Sequence, residues 1–172
     1  TVTPDNSEQC PGFIKTLVKN FNPSAISINL FRYHSLKHPP LPNKLINDYK
    51  KTVDTYKKYI FNGLLTHYSF FGSKVLMLKE ILQKELIYNV AKFDKFVTPC
   101  TAGNLSYVIM EDGSLKSCEI LPDNLGKISN NKNSSIKDLF FSKKAKDLRS
   151  WIYKTKCKCT YECAMSTNTL FT

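Results

Sequence analysis

Apolar and polar positions alternate with two different periods along this chain, and the change of period marks out its elements. Residues 1–9 are polar and read as an unordered lead or linker. Phe13, Leu17, Val18 and Phe21 then recur at helical spacing, which predicts a short helix from about Phe13 to Asn20. Asn22-Pro23-Ser24 breaks it. Ala25 to Phe31 alternates apolar with polar and is rich in β-branched residues, so it predicts a strand, with Arg32 to Pro40 as the loop leaving its C-terminal end. Asn43 is placed to cap a helix from about Lys44 to Asn62, with Leu45, Tyr49, Val53, Tyr56 and Ile60 on one face and Gly63 as its stop. A further helix is predicted from about Ser73 to Lys92. Val75, Leu76, Leu78, Ile81, Leu82, Leu86 and Ile87 give it a broad apolar face.

The C-terminal part reads differently. Leu105 to Met110 and Leu115 to Ile120 have strand character, and Glu111-Asp112-Gly113 between them is a hairpin turn with glycine where φ must be positive. Ser134 or Ser135 opens a helical stretch whose buried stripe is Ala145, Leu148, Trp151 and Ile152. These elements predict an α+β chain. Residues 1–62 form a helix–strand–helix unit of the kind found in a parallel (βα) layer. Residues 63–98 carry a linking helix, and residues 99–172 form a β-hairpin with helices.

Composition narrows the function. Apolar residues make up 42% of the chain, enough to build a core, and no run of about 18 apolar residues is present, so no membrane partner is expected. The first residues have neither a basic n-region nor an apolar h-region, which predicts a cytoplasmic protein cut from a longer chain. The net charge of +11 suggests nucleic acid, but Arg32 and Arg149 are the only arginines and the lysines are spread evenly. Bidentate reading of bases and phosphates is arginine chemistry, so the lysines read as a solvated face.

The cysteines carry the sharper signal. Cys100 and Cys118 frame the hairpin, and Cys157, Cys159 and Cys163 form a Cys–x–Cys–x3–Cys knot. Together with Cys10 they could make three disulfides, but Cys157 and Cys159 are too close to bridge comfortably and nothing marks secretion. Structural zinc, in a module without catalytic activity, is a second reading, although the paired Cys–x2–Cys knuckles are missing. Thiolates gathered from two segments also suit an iron–sulfur cluster. A cubane needs four thiolates. A helical knot would turn Cys159 and Cys163 to one face, which gives Cys100, Cys118, Cys159 and Cys163 as the set with Cys157 as the spare. An extended knot would pair Cys157 with Cys159 instead. His34, His38 and His67 have no metal-ligand pattern, and Trp151 reads as core.

Pro99-Cys100-Thr101-Ala102-Gly103, the strand–Asp112-Gly113–strand hairpin leading to Cys118, Leu125-Gly126-Lys127-Ile128, and the following helix and cysteine knot together resemble SPASM and twitch domains. These are auxiliary-cluster extensions of radical S-adenosylmethionine enzymes. The resemblance spans about residues 98–165, and residues 10–62 resemble the end of the partial barrel of those enzymes. It implies an auxiliary [4Fe-4S] cluster on cysteines drawn from Cys100, Cys118, Cys157, Cys159 and Cys163. It also implies S-adenosylmethionine bound by the full-length parent, with Asn29 and Arg32 near its adenosyl group. The expected partners are a peptide, protein or small-molecule substrate and a radical core belonging to the same parent chain. Two departures bear on this. Five cysteines rather than seven fit a single-cluster, twitch-like site, and the Cys–x3–Cys–x2–Cys motif of the catalytic cluster is missing and would lie upstream of Thr1. Glu119 and Glu162 flank cysteines and are placed to tune a cluster.

Overall fold

The computed structural model describes residues 1–33, 38–65, 70–128 and 135–172. It is mostly helical, with one small antiparallel sheet of three strands. The elements are α1 (Cys10–Phe21), α2 (Asn43–Phe61), α3 (Ser73–Phe93), β1 (Val108–Ile109), β2 (Ser114–Lys116), β3 (Gly126–Lys127), α4 (Ile136–Phe141), α5 (Lys143–Lys154) and α6 (Glu162–Asn168). The chain divides into two compact units. The first holds residues 1–32, 39–95 and 160–162, and the second holds residues 33–38, 96–159 and 163–172.

The first unit is built on α2, which packs against α1 and α3. Its stripe of Leu45, Tyr49, Val53, Tyr56 and Ile60 is buried throughout, as the helical period predicts. Residues 1–9 are ordered, contrary to the reading as a linker. Val2 is buried, and its N–H and C=O pair with Asn29 O at 2.7 Å and Phe31 N at 2.8 Å. Ser7 is buried on Asp48, whose carboxylate accepts from Ser7 Oγ at 3.0 Å, Lys44 Nζ at 3.0 Å and Lys51 Nζ at 3.1 Å. These donors, Lys44 foremost, hold the Asp48 carboxyl below its ordinary range.

Four other expectations for this unit change. Among the described residues Ala25 to Phe31 joins no sheet, and its one ladder contact is a parallel bridge from Leu30 to Val2. Alternation describes a chain with one face buried, but a strand also needs a neighbour along its length, and here a single bridge supplies it. On α3, Ile81, Leu86, Ile87 and Val90 are buried, whereas Val75, Leu76, Leu78 and Leu82 are exposed, so only the C-terminal half of the helix is seated. That helix, read from the sequence as a link, packs inside the first unit. Asn43 is the first residue of α2 rather than its cap, because Pro42 occupies the capping position.

In the second unit the hairpin forms, with strands shorter than the Leu105–Met110 and Leu115–Ile120 the sequence predicts: Val108 stands opposite Lys116 and Ile109 opposite Leu115. Gly113 has φ 82°, and Asp112 Oδ1 accepts from Ser114 N at 2.9 Å to close the turn. The stretch Leu125–Ile128 adds a third strand that the sequence pattern missed, because β3 is two residues long and includes a glycine. Leu139 of α4 lies so close to Gly126 that a Cβ there would stand 2.5 Å from its Cδ2. Ser135 opens α4 with a capping box closed by Asp138, and Ser142 separates α4 from α5 while capping the latter. The core gathers Leu115, Leu121, Leu125, Ala145, Leu148 and Ile152. Trp151 is not part of it and is 42% exposed. Positions 145, 148 and 152 share one helical face, and position 151 lies about 100° off it.

Candidate functional site: a thiol cluster on the edge of the second core

Five of the six cysteines belong to the second unit, and Cys10 belongs to the first. All six are free thiols. Cys100, Cys118 and Cys157 are partly buried against the core of the second unit. Each is held by its own local device.

Cys157 is set by the end of α5. The helix stops at Thr155, Lys156 turns to the left-handed region at φ 50°, and Cys157 N–H donates back to Ile152 O at 3.0 Å while Lys156 N–H donates to Tyr153 O at 3.2 Å. This is the paired bonding of a Schellman stop with lysine where glycine is usual. Cys118 follows β2, and the backbone N–H of Ile120 donates to its sulfur at 3.4 Å. Cys100 has the same arrangement, with the backbone of Ala102 as its donor. In both cases the amide two residues on points at the sulfur, which favours the thiolate.

The thiols of Cys100 and Cys157 are hydrogen-bonded to each other. Cys100 is pulled down to about 6, first by the hydrogen bond from Cys157, then by Ala102 and the side chain of Asn168, against its burial. Cys157 is pushed well above the ordinary thiol range. Donating to Cys100 is the largest cause, followed by burial and by the negative charges of Cys100, Cys159 and Cys118. The hydrogen bond thus draws the proton toward Cys157 and negative charge toward Cys100. Cys100, Cys118 and Cys159 are near enough to act electrostatically on the Cys157 thiol.

The knot is non-helical from Cys157 to Tyr161 and becomes helical only at Glu162. Cys159 therefore lies before α6 and shares no helical face with Cys163. Cys163 sits in the first turn of α6 and is exposed. Among the described residues, no three His, Cys, Asp or Glu side chains converge closely enough to grip an ion as they stand. The donor chemistry nonetheless suits a soft metal centre: four sulfurs, two of them already accepting backbone N–H bonds.

Asn168 is a residue that sequence reasoning overlooked. It is buried, and its Oδ1 accepts from Thr101 N and Thr101 Oγ1, both at 2.8 Å, while its backbone O accepts from Thr98 Oγ1 at 2.9 Å. It fixes the segment that carries Cys100 to α6. Nothing in Ala164-Met165-Ser166-Thr167-Asn168 announces this, since a lone asparagine near a chain end reads as solvated.

The remaining candidates lie elsewhere. Asn29 gives its backbone O to Val2, and its side chain accepts from Ser27 Oγ at 3.4 Å. The guanidinium carbon of Arg32 lies 3.7 Å from the centroid of the Tyr161 ring, a cation–π contact inside the first unit. Glu162 turns to α3, where its Oε2 accepts from Lys84 Nζ at 2.7 Å and Gln83 Nε2 at 2.6 Å. Burial is the main cause of its raised carboxyl pKa. His38 stacks on Tyr33 with ring centroids 4.8 Å apart, and His34 and His67 lie outside the described residues. No family model matches the chain, and neither a characterised protein nor a solved structure does.

Proposed function

We propose that the second unit is an auxiliary iron–sulfur cluster-binding region and that the chain is the C-terminal part of a radical S-adenosylmethionine enzyme of SPASM or twitch type. The observation that carries the reading is that Cys100, Cys118 and Cys157 lie partly buried against one core, with backbone amides directed at the sulfurs of Cys100 and Cys118. Cys100, Cys118, Cys157 and Cys159 would hold the cluster. When bound, it would supply an electron relay or an anchor for substrate. The chain's own part is to place four thiolates, to stabilise their charge through the Ala102 and Ile120 amides, and to keep one side of the site dry with Leu121, Leu125 and Ile152. The hairpin, the glycine turn and the spacing of Cys100, Gly113 and Cys118 are the features on which the resemblance rests.

In this reading the first unit is the end of the partial barrel. Its lone parallel bridge is the pairing sense that a barrel strand would have, and Asn29 and Arg32 would approach the adenosyl group of the cofactor. The chain holds no Cys–x3–Cys–x2–Cys motif, so the cleavage of S-adenosylmethionine is assigned to the parent enzyme and not to these residues. The substrate class that follows is a peptide, protein or small biosynthetic molecule, and the setting that follows is the cytoplasm.

The test is anaerobic reconstitution with iron and sulfide, then metal and sulfide analysis of single variants. Cys100→Ala, Cys118→Ala, Cys157→Ala and Cys159→Ala should each lose most of the iron, and Cys163→Ala should retain it. Protein that takes up one zinc and no iron would instead make this unit a structural zinc module. Loss of iron in Cys163→Ala with retention in Cys157→Ala would return the ligand set to Cys159 and Cys163.

A further inference from the structure

On the second unit, the hairpin and helices α4 and α5 enclose a cavity of about 740 Å³. That is the size range of a drug-like ligand site. Its walls are largely apolar. Tyr107 and Phe140 stack there with centroids 4.2 Å apart, and Leu105, Ile109 and Phe141 present apolar surface that stays exposed. Among the described residues that line it, none is acidic and none is a lysine.

Among the described residues, one charge lines this cavity, the guanidinium of Arg149. Its Nη1 is committed to neutral acceptors: Phe140 O at 2.9 Å, Gly103 O at 3.1 Å and Tyr107 Oη at 3.2 Å. Tyr107 in turn donates to Gly103 O. Nη2 and Nε of Arg149 make no hydrogen bond to any described residue, and no described carboxylate pairs with it. The arginine is half-buried and held in place by three bonds, yet its charge is uncompensated. A fixed cation beside apolar walls attracts an anion far more strongly than a solvated one does, because little water competes.

We propose that this cavity binds a small organic carboxylate with an aromatic or branched aliphatic body. The carboxylate would lie on the open edge of the Arg149 guanidinium, whose planar fork of N–H groups matches its two oxygens. The body would lie along Tyr107, Ile109 and Phe141. A single guanidinium with no described lysine beside it balances one negative charge, which favours a carboxylate over a phosphate. The cysteines take no part, so the inference stands apart from the cluster reading.

The experiment titrates the 172-residue chain, followed by amide NMR, with hydrocinnamate, indole-3-acetate and 4-methylvalerate, and with the carboxamide of each. At least one carboxylate should shift the amides of Gly103, Ile109 and Phe141 and bind at least tenfold more tightly than its carboxamide. Arg149→Gln should abolish that preference. Because Arg149 also braces Gly103 and Phe140, a second variant keeps the test independent of folding. Ile109→Glu, on an exposed wall of the cavity, should weaken carboxylate binding at least fivefold and change carboxamide binding less than twofold. Equal binding of acid and amide, no shift with any carboxylate, or binding indifferent to Ile109→Glu would overturn the proposal.

Discussion

Asn168 illustrates how much one side chain can hold. It satisfies Thr101 twice and lies next to Cys100, in a place where water cannot substitute. Asn168→Leu should leave the Thr101 N–H unpaired and cost about 2–3 kcal/mol, read as a lower denaturant midpoint with unchanged slope. Asp48 makes a pH-dependent case in the first unit. Its folded pKa lies below its ordinary value because Lys44, Lys51 and Ser7 bind the charged form. The unfolded chain then holds the proton more tightly, so the stabilisation is present above the ordinary carboxylate pKa and is lost as pH falls through the depressed folded value. Denaturant midpoints at pH 7 and pH 3 should therefore differ more in the native chain than in Asp48→Asn. Equal differences would show that the ion pairs around Asp48 contribute nothing.

The end of α5 and the joint between β3 and α4 offer two tests of opposite sign. Lys156 adopts φ 50°, a conformation that costs a side chain about 1 kcal/mol and glycine almost nothing. Lys156→Gly should stabilise the second unit by up to about 1 kcal/mol, the gain being trimmed by glycine's greater freedom when unfolded. Gly126 is the reverse. A methyl group there meets Leu139 at 2.5 Å and the backbone sits at φ 148°, so Gly126→Ala should cost about 2–3 kcal/mol. Chemical denaturation of both variants checks the pair, and a neutral Gly126→Ala would mean that α4 can shift freely away from the strand. These elements were legible in the sequence to different degrees. The stripe on α2, the Asp112-Gly113 turn and the Ser135 cap follow from local periods and turn chemistry. The strand from Ala25 to Phe31 was misread because its alternation records burial of Ile28 and Leu30 without recording a partner. Exposure of the first half of α3 and of Trp151 has the same origin: apolar side chains announce a wish for cover and do not say which neighbour arrives.

A cluster joining Cys100 and Cys118 to Cys157 and Cys159 would close a loop of most of the second unit. The sheet there has strands of only two and three residues, too short for independent stability. Metal-binding energy would then serve as folding energy for that unit. Removing the metal with chelator and oxidant should speed hydrogen exchange of amides from Cys100 to Cys159 and leave α2 nearly unchanged. Equal protection of the hairpin with and without metal would show a self-sufficient fold that carries the cluster as an accessory.

Local chemistry, then, specified where the helices lie and where the hairpin turns, because each of those depends on near neighbours in the chain. The tertiary structure alone decided which thiols meet. Cys157 is set locally by the Schellman stop of α5, but it meets Cys100 only because distant segments pack together, Asn168 anchoring Thr101 among them. It also decided that Arg149, one of two arginines in the sequence, stands with its charge uncompensated beside an apolar cavity, since burial and pairing belong to the packed chain and not to any stretch of it.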